Sequence, residues 1–224
     1  VGHAYESGDA LASLIEFLAA RTHARRINIL SWSAGARVVC DAVATLGDRH
    51  PDSTADSLRS ALRLGTIYFA AGDVPLAEFL ERIDDLHAMS DRLVVSLSDA
   101  DSSLSMAGKF MGGGRRIGQH GTPLLQAQRD HLNSLERLEV VDVSYGQDAR
   151  GFDIGGHRYW FNHPWCSTDT LLVLRTGLPA SERGLVQADG WRCVWAIPSD
   201  YPERVRAAVA RMRATRDASD RTAQ

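Results

Sequence analysis

The sequence is short of the residues that mark specialised architectures. Its three cysteines, Cys40, Cys166 and Cys193, are odd in number and show no C-x-x-C spacing. That argues against a disulfide framework or a structural zinc site, and the three read as small buried apolar side chains. Long hydrophobic runs are missing too: Leu93 to Val95 and Leu171 to Leu174 fall far short of the ~18 residues a membrane span requires. Net charge is low, formally −3, so there is neither a basic field for nucleic acid nor an acidic tail. Lysine is nearly absent: of 25 basic residues only Lys109 is one, the mark of a GC-rich bacterial coding bias rather than of a physical need. No G-x-G-x-x-G follows an apolar run, and no histidine–acid cluster has ligand spacing, which leaves no signal for a dinucleotide, a metal or any other cofactor.

What is present is ordinary globular material: 224 residues, 44% hydrophobic and 24% charged. Without an internal repeat or a linker, the reading is one domain over residues 1–213, with a polar, aperiodic tail from Ala214 expected to be disordered. Helix and strand patterns alternate. Leu11, Leu14, Ile15 and Leu18 predict an amphipathic helix over Asp9 to Ala20. Ile27 to Leu30 reads as a strand, with a helix directly after it over Ala34 to Leu46. Strands follow at Thr66 to Ala71, Leu93 to Leu97, Leu138 to Val143 and Arg192 to Ile197. Helices are predicted over Leu76 to Met89, His163 to Arg175 and Tyr201 to Arg213, and the stretch between Leu97 and Leu138 reads as irregular. Single helices between strands imply βαβ units, hence a mainly parallel α/β sheet covered by helices on both faces.

One segment carries chemistry in its local pattern. Ile27-Asn28-Ile29-Leu30-Ser31-Trp32-Ser33-Ala34-Gly35-Ala36 is a strand, a tight turn and a helix start with Ser33 at the apex. A nucleophile elbow lifts a serine hydroxyl above the sheet on such a turn and needs small residues two before and two after it, here Ser31 and Gly35. The N–H of Ala34, at the helix start, would point toward an oxyanion. The competing reading is a plain strand-to-helix turn with Ser33 as N-cap. A serine nucleophile needs a base and an orienting acid, in the order serine, acid, histidine on this architecture. Asp99 and Asp101 follow the strand Leu93 to Leu97, at the sheet edge where parallel sheets gather functional groups. Gly155-Gly156-His157 follows the strand Leu138 to Val143, and the glycine pair lets a loop bring an imidazole over that edge. His163, before Pro164 at a helix start, suits a structural role.

With these pieces in order, the chain resembles the α/β-hydrolase superfamily, and more closely a bacterial esterase/lipase-like branch of uncharacterised function. Leu30-Ser31-Trp32-Ser33-Ala34-Gly35 resembles the branch's elbow, with Trp32 where histidine is usual. Phe69-Ala70-Ala71-Gly72-Asp73-Val74 with Phe79 resembles its A-x-D-V…F segment, and Ser98 to Leu104 its S-x-x-D-x-A-L acid turn. Arg116-Ile117-Gly118 resembles its R-x-G element, and Gly156-His157-Arg158-Tyr159 its G-H-x-Y loop. The resemblance implies Ser33 as nucleophile, His157 as base and Asp101 as acid, with Asp73 the alternative acid one strand earlier. It implies a serine hydrolase forming a covalent acyl-enzyme on a small acyl ester, without a cofactor; a non-catalytic hydrolase-like interaction module is the alternative. Trp32 and Tyr159 are candidates for the substrate pocket, and Met111 with the three glycines after it for a cover over the site. In the superfamily an earlier strand and loop supply the second oxyanion donor. Nothing ahead of Val1-Gly2-His3 shown here does so, so the first strands are expected to be missing and the strand of Ser33 to lie at an open sheet edge. A cytoplasmic location is the expectation, with an export signal ahead of Val1 left open.

Overall fold

The computed structural model describes residues 2–99, 114–119, 124–144 and 157–222. Six strands form one sheet in the order β1-β2-β3-β4-β6-β5. They are β1 (Ile27–Trp32), β2 (Leu64–Ala70), β3 (Arg92–Leu97), β4 (Leu138–Asp142), β5 (Val186–Gln187) and β6 (Val194–Ala196). Every pairing is parallel except that of the two-residue β5 with β6. The mainly parallel α/β fold anticipated from the sequence is therefore the observed one, and β1 lies at an edge, paired among the described residues with β2 alone.

Alternation along the strands sorts the core into two layers. Ile67, Phe69, Leu93, Val95 and Leu138 face one way, under α1 (Gly2–Arg21), α2 (Gly35–Arg49), α3 (Ala55–Leu62), α4 (Leu76–Ala88) and α5 (Gln126–Ser134). Tyr68, Ala70, Val94 and Val141 face the other, under α6 (Tyr159–Asn162), α7 (Pro164–Thr176) and α8 (Tyr201–Thr222). Strand β2 is buried along its whole length, which is why it reads as a continuous β-rich run rather than an alternating one. All three cysteines are free and buried, as their isolation implied, and burial pushes the thiols of Cys40 and Cys166 up to about 12.

Two expectations are corrected. The chain from Ala214 to Thr222 is not an unstructured tail but the continuation of α8. After Pro202 this stretch holds no glycine or proline, and its arginine and alanine content favours helix even without an apolar stripe. The region between β3 and β4 also contains a helix, α5, which buries only Leu132 and so shows no periodic face.

Beneath the second layer lies a closed ionic cluster. Arg183 is fully buried; its Nε donates to Asp169 Oδ1 at 2.7 Å, and its Nη1 to Glu139 Oε2 at 2.8 Å and to the Leu178 carbonyl at 2.6 Å. Glu139 Oε1 also accepts from the Ala180 N–H at 2.8 Å and pairs with Arg92. The cluster joins β3, β4, α7 and the turn at 177–183. It lies toward the start of β4, at the end of the sheet opposite the strand tips described next.

Candidate active site

The turn after β1 has the geometry that its sequence implied. Ser33 takes φ of 53°, a left-handed conformation that costs a non-glycine residue about 1–3 kcal/mol. Its surroundings determine it: the Ser33 N–H donates to the Ala70 carbonyl at 3.1 Å, and its own carbonyl accepts from the N–H groups of Ala36 (3.1 Å) and Asp73 (3.0 Å). The N-cap of α2 is Ala34, not Ser33, and no side chain caps it. Ser33 is therefore an apex residue rather than a cap. Ala34 is exposed at the start of a 15-residue helix, where first-turn N–H groups lack intrahelical partners.

The crowded glycine of this turn is not the expected one. A methyl group on Gly35 would meet only Ser31 Cβ, at 3.8 Å, an ordinary contact. At Gly72 it would come within 2.6 Å of Ile117 Cδ1 and 3.4 Å of Ala36 Cβ. The tight approach at the β2 tip is thus to the Ile117 side chain, which would have to shift for any larger residue at Gly72, a contact that joins segments distant in sequence.

His157 reaches the same edge through Trp32. The indole Nε1 of Trp32 donates to the His157 carbonyl at 3.0 Å, and the two rings lie 5.4 Å apart. Phe161 closes edge-on against Trp32 at 6.0 Å, with Trp160 beside it at 6.4 Å. Trp32 thus supports the histidine backbone and one face of its ring while remaining 38% exposed. His163 caps α7, its Nδ1 accepting from the Trp165 N–H at 3.2 Å, and burial lowers its pKa from the usual value. A neutral, accepting ring suits the structural role expected of it.

A serine on a left-handed strand-to-helix turn with a histidine carried to the same parallel-sheet edge is an α/β-hydrolase arrangement. The family model described as an alpha/beta hydrolase of unknown function (DUF900) matches residues 3–172. The chain belongs to this family. No curated protein and no solved structure matches it.

In this DUF900 chain the two candidate acids fare differently. Asp101 lies outside the described residues, as do the remainder of the acid turn after Asp99, Met111 with Gly112 and Gly113, and Gly155-Gly156. Asp73 is described, and its Oδ1 sits 3.0 Å from Nε of Arg116, which is 4% exposed. Asp73 is thus tied to the turn twice, by this ion pair and by its own N–H, which donates to the Ser33 carbonyl. The R-x-G element containing that arginine acts as a strap across the strand tips. Ile117 N–H donates to the Val74 carbonyl at 3.0 Å and Gly118 N–H to the Gly72 carbonyl at 3.2 Å, while the Gly118 carbonyl accepts from Ser98 N–H at 3.1 Å. The turn of Ser33 and the start of the acid turn are thereby tied together. The sequence singled out Asp73 and the R-x-G element separately, but nothing local to either segment says that the two meet. At the next tip, Asp142 Oδ1 accepts from the Ser144 hydroxyl at 2.5 Å, and that hydroxyl accepts from the Asp99 N–H at 3.1 Å.

Tyr159 occupies a different place from the pocket wall suggested for it. It is 3% exposed, and its hydroxyl meets the Ala71 N–H at 2.9 Å, Ser96 Oγ at 3.0 Å and the Ser96 carbonyl at 3.1 Å. The ring turned inward because the left-handed Ala71 (φ 46°) presents a buried N–H that needs an acceptor. Tyr159 therefore pins the histidine loop of the DUF900 fold to the tips of β2 and β3. Tyr159→Phe should destabilise the protein by about 1–3 kcal/mol, since it orphans that N–H. Thermal unfolding followed by circular dichroism checks this; an unchanged midpoint would remove the anchoring role.

Among the described residues, no three His, Cys, Asp or Glu side chains converge as a metal site, and no helix is long and apolar enough to cross a membrane.

Proposed function

We propose that the chain is a serine hydrolase acting on small acyl esters, with Ser33 as nucleophile, His157 as general base and Asp101 as the acid that orients the imidazole. The observation that carries this reading is the left-handed φ of 53° at Ser33 between a parallel strand and a helix, a conformation that aims a hydroxyl out of the sheet edge. The Trp32 support beneath His157 adds to it, because a base must keep its ring in one place to take a proton repeatedly.

In this mechanism the Ser33 oxygen attacks the ester carbonyl carbon as His157 takes the hydroxyl proton. The Ala34 N–H stabilises the resulting oxyanion, which collapses to an acyl-serine as the imidazolium gives its proton to the departing alcohol. Water then attacks the acyl carbon, transfers a proton to His157 and releases the acid, and the serine hydroxyl is restored. Asp101 is preferred over Asp73 as the acid because Asp73 already neutralises Arg116.

A fluorophosphonate probe tests the reading. Covalent labelling of the wild-type protein that disappears in Ser33→Ala is the expected result. A folded protein that takes no label would favour the non-catalytic interaction module instead.

A further inference from the structure

A cavity of about 320 Å³ lies under the first helical layer, between α4, α5 and strands β3, β4 and β6. Its walls are mainly aliphatic: Leu76, Leu80 and Ile83 from α4, beside Phe79, with Val95 from β3 and Val140 from β4. The polar residues Arg116, Gln119 and Asp142 lie toward one end, with Leu97. That end is at the C-terminal edge of the sheet, since Leu97 and Asp142 close β3 and β4. Arg116 in turn touches Asp73, whose N–H holds the carbonyl of Ser33. The opposite end is lined by Leu132, Cys193 and Trp191, with the Arg129 guanidinium 4.5 Å over the Trp191 ring.

Shape and chemistry limit what fits. The cavity follows β4 from Leu138 to Asp142, roughly 13 Å at ~3.3 Å per residue. With 320 Å³ spread over that length, the cavity is elongated, a shape that suits an extended aliphatic chain. A charged group could not be solvated in the aliphatic shaft and would have to remain at the polar end.

We propose that this cavity takes a single unbranched aliphatic chain of eight to ten carbons, about ten groups of the ~30 Å³ that a water molecule occupies, with its polar head at the sheet edge. Two sources supply such a chain: the acyl part of the ester substrate, or a free fatty acid. Occupancy of the cavity is independent of the hydrolase reading; assigning the chain to the substrate rests on it.

Decanoate titrated into the full chain, followed by calorimetry and by tryptophan fluorescence, tests occupancy. Saturable 1:1 binding is expected, weakening about four-fold for each methylene removed from decanoate to hexanoate. The fluorescence change should vanish in Trp191→Phe. Leu80→Trp and Val140→Phe, which fill the shaft, should each lose at least ten-fold in affinity at an undiminished melting temperature. The source is read from the rates at which methyl- and decyl-fluorophosphonates label Ser33. A decyl preference abolished by Leu80→Trp assigns the chain to the substrate, whereas equal rates beside intact decanoate binding assign it to a free fatty acid. Failure of decanoate to bind up to millimolar concentration, or binding that is indifferent to both filling variants, overturns the proposal. Absence of any labelling sinks the hydrolase reading and leaves the titration to decide the cavity by itself.

Discussion

Ester turnover should fall by a factor on the order of 10⁶ in His157→Ala, the size of loss seen when a triad histidine is removed. The fold should scarcely notice. His157 is half-buried at the sheet edge, and the backbone carbonyl that receives the Trp32 indole N–H is one that alanine retains. The space left against the Trp32 indole is the size of the lost ring, so added imidazole should restore part of the activity. Hydrolysis of p-nitrophenyl butyrate, measured with and without imidazole beside a thermal melt, separates the roles. Activity that survives the substitution, or a melting temperature that collapses with it, would show that His157 is structural and not the base.

The largest stability effect is expected far from that edge. Arg183→Met should destabilise the protein by about 3–5 kcal/mol, the usual result of breaking a buried ion cluster from one side. Asp169 and Glu139 are almost fully buried; losing the guanidinium strands the Asp169 carboxylate and leaves Glu139 with Arg92 as its remaining charge partner. Even in the intact protein, burial raises the pKa of Asp169, with Arg183 opposing the shift. Without the arginine, the folded-state pKa rises further above its unfolded value, so the folded state binds more protons than the unfolded state. Stability of the variant must therefore fall as pH rises through the carboxylate range, and the deficit should be smallest in acid. Adding Asp169→Leu should recover part of the loss, because the stranded charge is then gone. Urea denaturation at pH 4 and pH 7 checks both the size and the sign. A pH-independent loss below 1 kcal/mol would mean that the cluster is far better hydrated than its burial implies.

The two sites differ in how legible they were in the sequence. The turn of Ser33 is local, since strand, apex and helix start lie within ten consecutive residues, and its small flanking residues announce it. Strands β2, β3 and β4 are equally plain, because two-sided burial requires unbroken β-rich runs. Helix α5 is not, because it buries Leu132 alone and its sequence carries no stripe. The last turns of α8 were obscured likewise, being helical through residue preference rather than through a buried face. At the site, the pairing of Asp73 with Arg116 and the inward turn of Tyr159 were out of reach for a different reason. Each is decided by a partner contributed from a distant segment: the strap at 114–119 in one case, the left-handed Ala71 in the other. Periodicity reports which face of an element is buried, and it carries nothing about which polar group waits there.

Mass spectrometry of the phosphonylated protein puts the central claim to its most direct test. Trypsin releases Ile27 to Arg37 as one peptide, and it contains two serines, the buried Ser31 and the apex Ser33. Fragmentation should place the whole adduct on Ser33, in a reaction that His157→Ala slows by several orders of magnitude. An adduct on Ser31, on a serine outside this peptide, or on Ser33 at the same rate without His157 would contradict the account.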